Sequence, residues 1–227
     1  MCTARGCIEW QVKLAAAPLA LPEEPMEWHV MIIEEDARLR AMAERLRLRQ
    51  ISVSEWRGEF EAMLLRIHTE SHRIGQRLAG RLIVDEMDAQ LEGRRMLDVE
   101  TSFLNGFAYD IEDGRYTDEL DSLNDLRVYQ RSRLYLGKSR GTGNQAFVDF
   151  SQDEEEFDWL LGPEGDNCED CPILASGGPY TKRTLYTTPG AGDTPCFGYC
   201  NCELKRRSDG ATGIPPMSFA TSEDIAA

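Results

Sequence analysis

Five of the chain's seven cysteines fall between Cys168 and Cys202, spaced as C-x2-C, then 24 intervening residues, then C-x3-C-x-C. A C-x2-C pair places two thiolates on a tight knuckle where both can bind one ion about 2.3 Å away, and a second cluster closes a tetrahedral site. Between the clusters stand Gly177, Gly178, Gly190 and Gly192 with Pro179 and Pro189. Such residues make turns and leave too little apolar material for an independent core. A metal or a disulfide must supply what packing does not.

Cys168, Cys171 and Cys196 are the simplest ligands. Cys202 or Cys200 is the fourth, since these two sit two apart and only one need point at the ion. A structural zinc site is the leading expectation. Disulfides among the same residues, and reduced core cysteines, are the alternatives. Catalytic zinc fits poorly, because no histidine follows His72 and an all-thiolate site leaves no open position. A redox pair at C-x2-C is opposed by Glu169 and Asp170, whose charge disfavours a thiolate between them.

A chain of 227 residues suffices for one core with a small satellite module. Its net charge of -15, from 40 acidic and 25 basic residues, argues against a free-standing nucleic-acid binder. A place near DNA inside a larger assembly stays compatible with it. No run approaches 18 apolar residues, so no membrane partner is expected. The apolar run from Leu14 to Leu21 follows Glu9 and is broken by Pro18, unlike a signal peptide. Synthesis in the cytoplasm is therefore expected, which favours metal over disulfide.

The expected fold class is mainly α: an elongated helical bundle or hairpin, a small cysteine-rich, zinc-stabilised C-terminal module, and extended termini. Residues 1–33 carry Pro18, Pro22 and Pro25 and read as an arm laid on a neighbouring surface through Trp10 and Trp28, with Cys2 and Cys7 as unpaired thiols. Residues 34–140 read as the helical body. Its second helix is expected to start at an N-cap Ser54, with Trp56, Phe60, Met63, Leu64, Ile67, Ile74, Leu78 and Leu82 on one buried face. The next apolar positions are Met87, Leu91, Leu97, Phe103, Leu104, Phe107 and Ile111. Gly75, Gly80 and Gly93 mark close crossings or a bend.

His68 and His72 form H-x3-H, but Thr69 stands where a metalloprotease needs glutamate, so helix-surface or interface histidines are expected. A last helix is predicted over 117–137, opened by Thr117 and ended by Gly137, with Arg127, Arg131, Arg133, Lys138 and Arg140 gathered near its end and giving, with the acids downstream, a marked charge asymmetry. Residues 141–161 read as an acidic connector with a short docking helix around Phe157, Trp159, Leu160 and Leu161. From Gly141 to Asp170 there are ten acids and no lysine or arginine. Residues 162–205 are the cysteine-rich module, with Thr184 to Thr188 predicted as a strand beside Cys202 to Leu204. Residues 206–227 read as a tail, ordered only by a partner.

Two stretches carry a family resemblance. The helical LRIHTESHRIGQRLAG, FLNGFAYDIEDG and LRVYQRSRLYLG, and the cysteine segments CEDCPILASGGPY and TTPGAGDTPCFGYCNCEL, resemble the minor head or head morphogenesis proteins of tailed bacteriophages, of the phage Mu type. Cys168 and Cys171 match the family's first pair, Cys196 its isolated cysteine, and Cys200 with Cys202 its last pair. Asn201 stands where arginine is common in the family. The similarity spans roughly residues 55–205 and is more specific in the cysteine segments.

The resemblance implies a non-enzymatic virion component, made in the host cytoplasm and located in the head. Its implied partners are the portal or the major capsid protein, with further copies of itself and packaged DNA as neighbours. Two other classes compete: a zinc- or thiol-dependent hydrolase or oxidoreductase, and a small nucleic-acid-binding zinc module using Lys182, Arg183 and Lys205 to Arg207.

Overall fold

A computed structural model describes residues 26–118, 122–163, 167–196 and 200–216. Its first described helix, α1, is Met26–Arg47, eight residues longer at its start than the sequence suggests. A proline restricts its own φ and the residue before it, so Pro25 does not prevent a helix from following. Trp28, Ile32, Leu39, Met42 and Leu46 form one buried stripe at helical spacing. The expected arm over 1–33 is thus corrected from residue 26 onward. Trp28 is fully buried, and its indole N–H donates to Ser71 Oγ at 3.1 Å instead of meeting a partner surface. Trp10, Cys2 and Cys7 lie outside the described residues.

Helix α2, Val53–Leu78, begins at a capping box on Ser52, not at Ser54. Ser52 Oγ accepts from the Glu55 N–H, and the Glu55 carboxylate accepts from the Ser52 N–H at 2.8 Å. The S-x-x-E spacing sits at 52–55, which explains the shift. Trp56, Phe60, Met63, Leu64, Ile67 and Ile74 are buried as expected. Leu82 is 88% exposed, because the helix has ended and Gly80 has turned the chain at φ 92°.

Helix α3, Glu86–Glu112, is capped by Asp85 and buries Leu104, Phe107 and Ile111. Of the other apolar positions named there, Met87, Leu91 and Phe103 are exposed. The inner face of α3 lies close to α2 at Gly93, where a Cβ would stand 2.1 Å from Thr69 Oγ1.

Helix α4, Asp125–Asp149, differs most from expectation. Asn124 caps it, its Oδ1 accepting from the Arg127 N–H at 3.0 Å, while Thr117 lies in a turn bridged to Leu123. Gly137 does not end it. The helix continues through Gly141 and Gly143, so the first part of the predicted acidic connector is buried helix. Glycine in a helix costs about 1 kcal/mol relative to alanine. Here each of the two admits neighbouring backbone that a side chain would exclude.

Strand β1, Glu156–Leu160, replaces the expected docking helix. Phe157 and Trp159 alternate inward while Glu156 and Leu160 face out, the period-two pattern of a strand. It is the centre of a three-stranded antiparallel sheet in the order β2–β1–β3, where β2 is Tyr180–Thr181 and β3 is Glu203–Arg206. The neighbour of β3 is therefore β1 and not Thr184 to Thr188. Helix α5, Asp170–Gly177, follows β1.

The protein is mainly helical, with two hydrophobic clusters. One lies among α1 to α4, and the other joins Phe147 and Val148 of α4 to Phe157, Trp159, Cys171, Leu174, Leu185, Cys200, Cys202 and Leu204. Part of the predicted tail belongs to the body: Ile214 is buried in the helical cluster. No helix among the described residues is long and apolar enough to cross a membrane.

Candidate metal centre

Cys168 and Cys171 flank the start of α5, and the Cys171 N–H donates to the Cys168 carbonyl at 3.2 Å, closing the knuckle that C-x2-C predicts. Their Sγ atoms are 3.3 Å apart. Cys200 and Cys202 lead into β3, whose pairing with β1 brings them back over α5. Cys171 Sγ lies 3.8 Å from Cys200 Sγ. Cys196 enters from the loop that follows Thr194, whose Oγ1 is 3.2 Å from its Sγ.

The sulfurs form two triads, Cys168 with Cys171 and Cys196, and Cys171 with Cys200 and Cys202, each within 4.8 Å. Cys171 belongs to both. Four sulfurs about 2.3 Å from one ion are separated by about 3.8 Å along each tetrahedral edge. The 3.3 and 3.8 Å separations fit a set able to close on a metal with modest adjustment. A disulfide would bring two sulfurs to about 2.05 Å. All five cysteines are instead free thiols.

The acidities of these groups are mutually dependent. Hydrogen bonding from Cys200 lowers the Cys202 thiol to about 5, against burial, with help from the Gly162 N–H, Cys171 and Trp159. The Trp159 indole N–H is buried beside Cys202 but makes no hydrogen bond of ordinary geometry among the described residues. The same bond, donated by Cys200, and burial raise Cys200; burial and the bond to Cys168 raise Cys171. Burial also acts upward on Cys168, where bonds from Cys171 and Cys196 outweigh it and leave the thiol lowered. Metal binding at such a set requires the thiols to be deprotonated, so it would be coupled to proton release. Cys171, Cys200 and Cys202 are buried and Cys168 and Cys196 half-buried, so the set is largely withdrawn from solvent.

Arg140, the last of the basic group near the predicted helix end, is 1% exposed, and its guanidinium donates to the carbonyl oxygens of Cys200 and Cys202 and, at 2.8 Å, to that of Ile214. Burial lowers its pKa to about 10, opposed by the charges of Cys200, Glu203, Cys202 and Cys196. One turn on, Asn144 Nδ2 donates to the Pro189 carbonyl at 2.8 Å and its Oδ1 accepts from the Ile214 N–H. Gly141 lies against Ala191, where a Cβ would come within 2.3 Å of backbone. The stretch Arg140 to Asn144 is thus the platform on which the cysteine loops rest. A signal for it exists in the sequence: Arg140 lies four residues after Leu136, on the buried face, and small residues follow it.

His68 and His72, expected as helix-surface or interface histidines, are both buried between packed helices. His68 is fully buried, with Nδ1 2.7 Å from Thr142 Oγ1, and burial, helped by Lys138 and Arg95, lowers its pKa to about 3. His72 places Nδ1 3.1 Å from Gln76 Nε2 and Nε2 3.3 Å from Asp88 Oδ2. Burial lowers its pKa, against the pull of Asp88 and Glu92. Among the described residues, every group of three or more candidate ligands within 4.8 Å consists of cysteines alone.

No family model, curated protein or solved structure matches the chain.

Proposed function

We propose that the chain is a non-enzymatic structural component of a tailed-phage head, and that its cysteine centre holds one zinc ion as a clasp. The convergence of five cysteines at the junction of the C-terminal segment with α4 carries this reading. Zinc suits the donor set: soft thiolates gathered in two triads that share Cys171, with no histidine or carboxylate among them. A buried all-sulfur set ties strands and loops together and leaves no position for substrate.

The head assignment rests on the family resemblance of residues 55–205, and the surface agrees with life in an assembly. Leu82, Ile83, Met87, Leu91, Val99, Phe103 and Tyr109 are all at least half exposed along the outer side of α3 and the loop before it. The expected neighbours are the portal or major capsid protein, further copies of the chain, and packaged DNA. Mass spectrometry of purified proheads and virions should find the chain at low copy, and a portal pull-down should retain it. Absence from proheads, virions and portal complexes alike would end the structural assignment.

One observation favours a thiol-dependent enzyme, the lowered pKa of Cys202. Complete burial of that side chain opposes it. Metal analysis decides between the two: a zinc-to-protein ratio near one with thiols shielded from alkylation supports the clasp, and a metal-free chain with one fast-reacting thiol supports the enzyme.

A further inference from the structure

We propose that Arg140 is a positioning residue of the cysteine centre that balances its charge and fastens it to the helical body. This inference rests on the metal reading above. Four thiolates around a divalent ion leave a net double negative charge, and burying such a charge without a counter-ion is costly. Arg140 is the complementary case, a guanidinium 1% exposed. Its hydrogen bonds go to three carbonyl oxygens, and the Glu203 carboxylate acts on it through charge rather than through any of these bonds. Carbonyl dipoles satisfy its donors but do not neutralise it.

Two of those carbonyls belong to Cys200 and Cys202 themselves. The cation therefore sits against the backbone of the ligand loop, and the anions acting on it are those of the cysteine nest and the Glu203 carboxylate. The third carbonyl belongs to Ile214, whose side chain is buried against α4 at Gly143. One charged side chain on α4 thus reaches the last two cysteines and the following segment at once. Metal loading and seating of residues 200–216 on α4 become one event.

The test uses the full chain, reduced, stripped with a chelator and titrated with cobalt(II), then zinc(II). The intact chain should give the thiolate-to-cobalt charge-transfer band of a tetrahedral sulfur site. Arg140→Met should weaken zinc at least about tenfold, the size of effect typical of groups that support metal ligands. Arg140→Lys, which keeps the charge, should recover most of that loss and restore the cobalt spectrum.

Unchanged affinity in Arg140→Met overturns the proposal, and so does an equal loss in both variants, which would leave only the shape of the guanidinium. Far-UV circular dichroism is recorded alongside. Should the methionine variant lose helicity, the decision passes to Arg140→Lys: affinity within about threefold of the intact chain supports charge balance, and a natively helical lysine variant at least about tenfold weaker refutes it. An intact chain that gives no cobalt spectrum and retains no zinc refutes the metal reading itself, and this inference with it.

Discussion

Gly75 of α2 faces Gly143 of α4 so closely that a Cβ on Gly75 would stand 2.0 Å from the Gly143 carbonyl oxygen. Gly143 is confined in turn, since its own Cβ would meet the Ser71 carbonyl oxygen at 2.8 Å and the Ile214 side chain at 2.1 Å. Backbone rests on backbone at this crossing, and Ile214 caps it. The crossing positions the platform of Arg140 and Asn144 beneath the cysteine loops, so packing within the helical body reaches the candidate centre.

Gly75→Ala forces two helices apart at a point where neither neighbour is a flexible side-chain end. A cost of about 1–3 kcal/mol is expected, as for other overpacked cores. Gly58 lies in the same helix, exposed, with nothing within 4 Å of where a Cβ would stand, and supplies the control. Gly58→Ala should stabilise by about 0.5–1 kcal/mol through helix propensity alone. Urea unfolding measures both, and a Gly75→Ala protein as stable as Gly58→Ala would show that the crossing yields.

Glu100 of α3 is fully buried, 3.3 Å from Lys138 Nζ, and neither carboxylate oxygen has a hydrogen bond of good geometry among the described residues. Burial raises its pKa from 4.5 to about 7, against the pull of Lys138. The folded state therefore holds this proton more tightly than the unfolded chain. Its contribution is fully present below pH 4.5 and is lost as pH rises through about 7. His68 acts with the opposite sign: its folded pKa is lowered from 6.5 to about 3, so its contribution is lost as pH falls through that window. The two overlap, and a substitution is needed to separate them. Glu100→Gln should match the parent near pH 4.5 and exceed it by about 3 kcal/mol at about pH 8, from about 1.4 kcal/mol per pKa unit. A stability difference that does not change between these pH values would refute the assignment.

The sequence disclosed the helices where periodicity was unbroken and misled where glycines interrupted it. Trp56 to Ile74 keep a regular apolar period, and that face is the core of α2. Gly137, Gly141 and Gly143 resemble stop signals, yet each sits inside α4, because tertiary contact outweighs intrinsic propensity there. Phe157 and Trp159 alternate with polar residues, but a five-residue strand is too short to announce itself within an acidic run. The cysteines were legible because their spacing is chemistry rather than packing. Arg140 was missed, since it reads as one more member of the basic group with Arg131, Arg133 and Lys138, and its place four residues after Leu136 gains meaning only with the loops that cover it.

Cys171 is the sulfur common to both triads, 3.3 Å from Cys168 and 3.8 Å from Cys200, so its loss breaks either choice of four ligands. Cys171→Ser should abolish stoichiometric zinc and open residues 167–216 to proteolysis. The two clusters have no fully buried residue in common and meet at Leu78, so the unfolding transition of α1 to α3 should survive. Cys200 and Cys202 provide the contrast, for a site of four ligands needs only one more sulfur than the first triad supplies. Serine at the spare position should leave the zinc ratio near one, and serine at the other should lower it as far as Cys171→Ser does. Zinc content by atomic emission, with limited proteolysis of the same samples, reads both effects. Unchanged zinc and unchanged protease resistance in Cys171→Ser would mean that the five cysteines are a reduced core and not a metal centre.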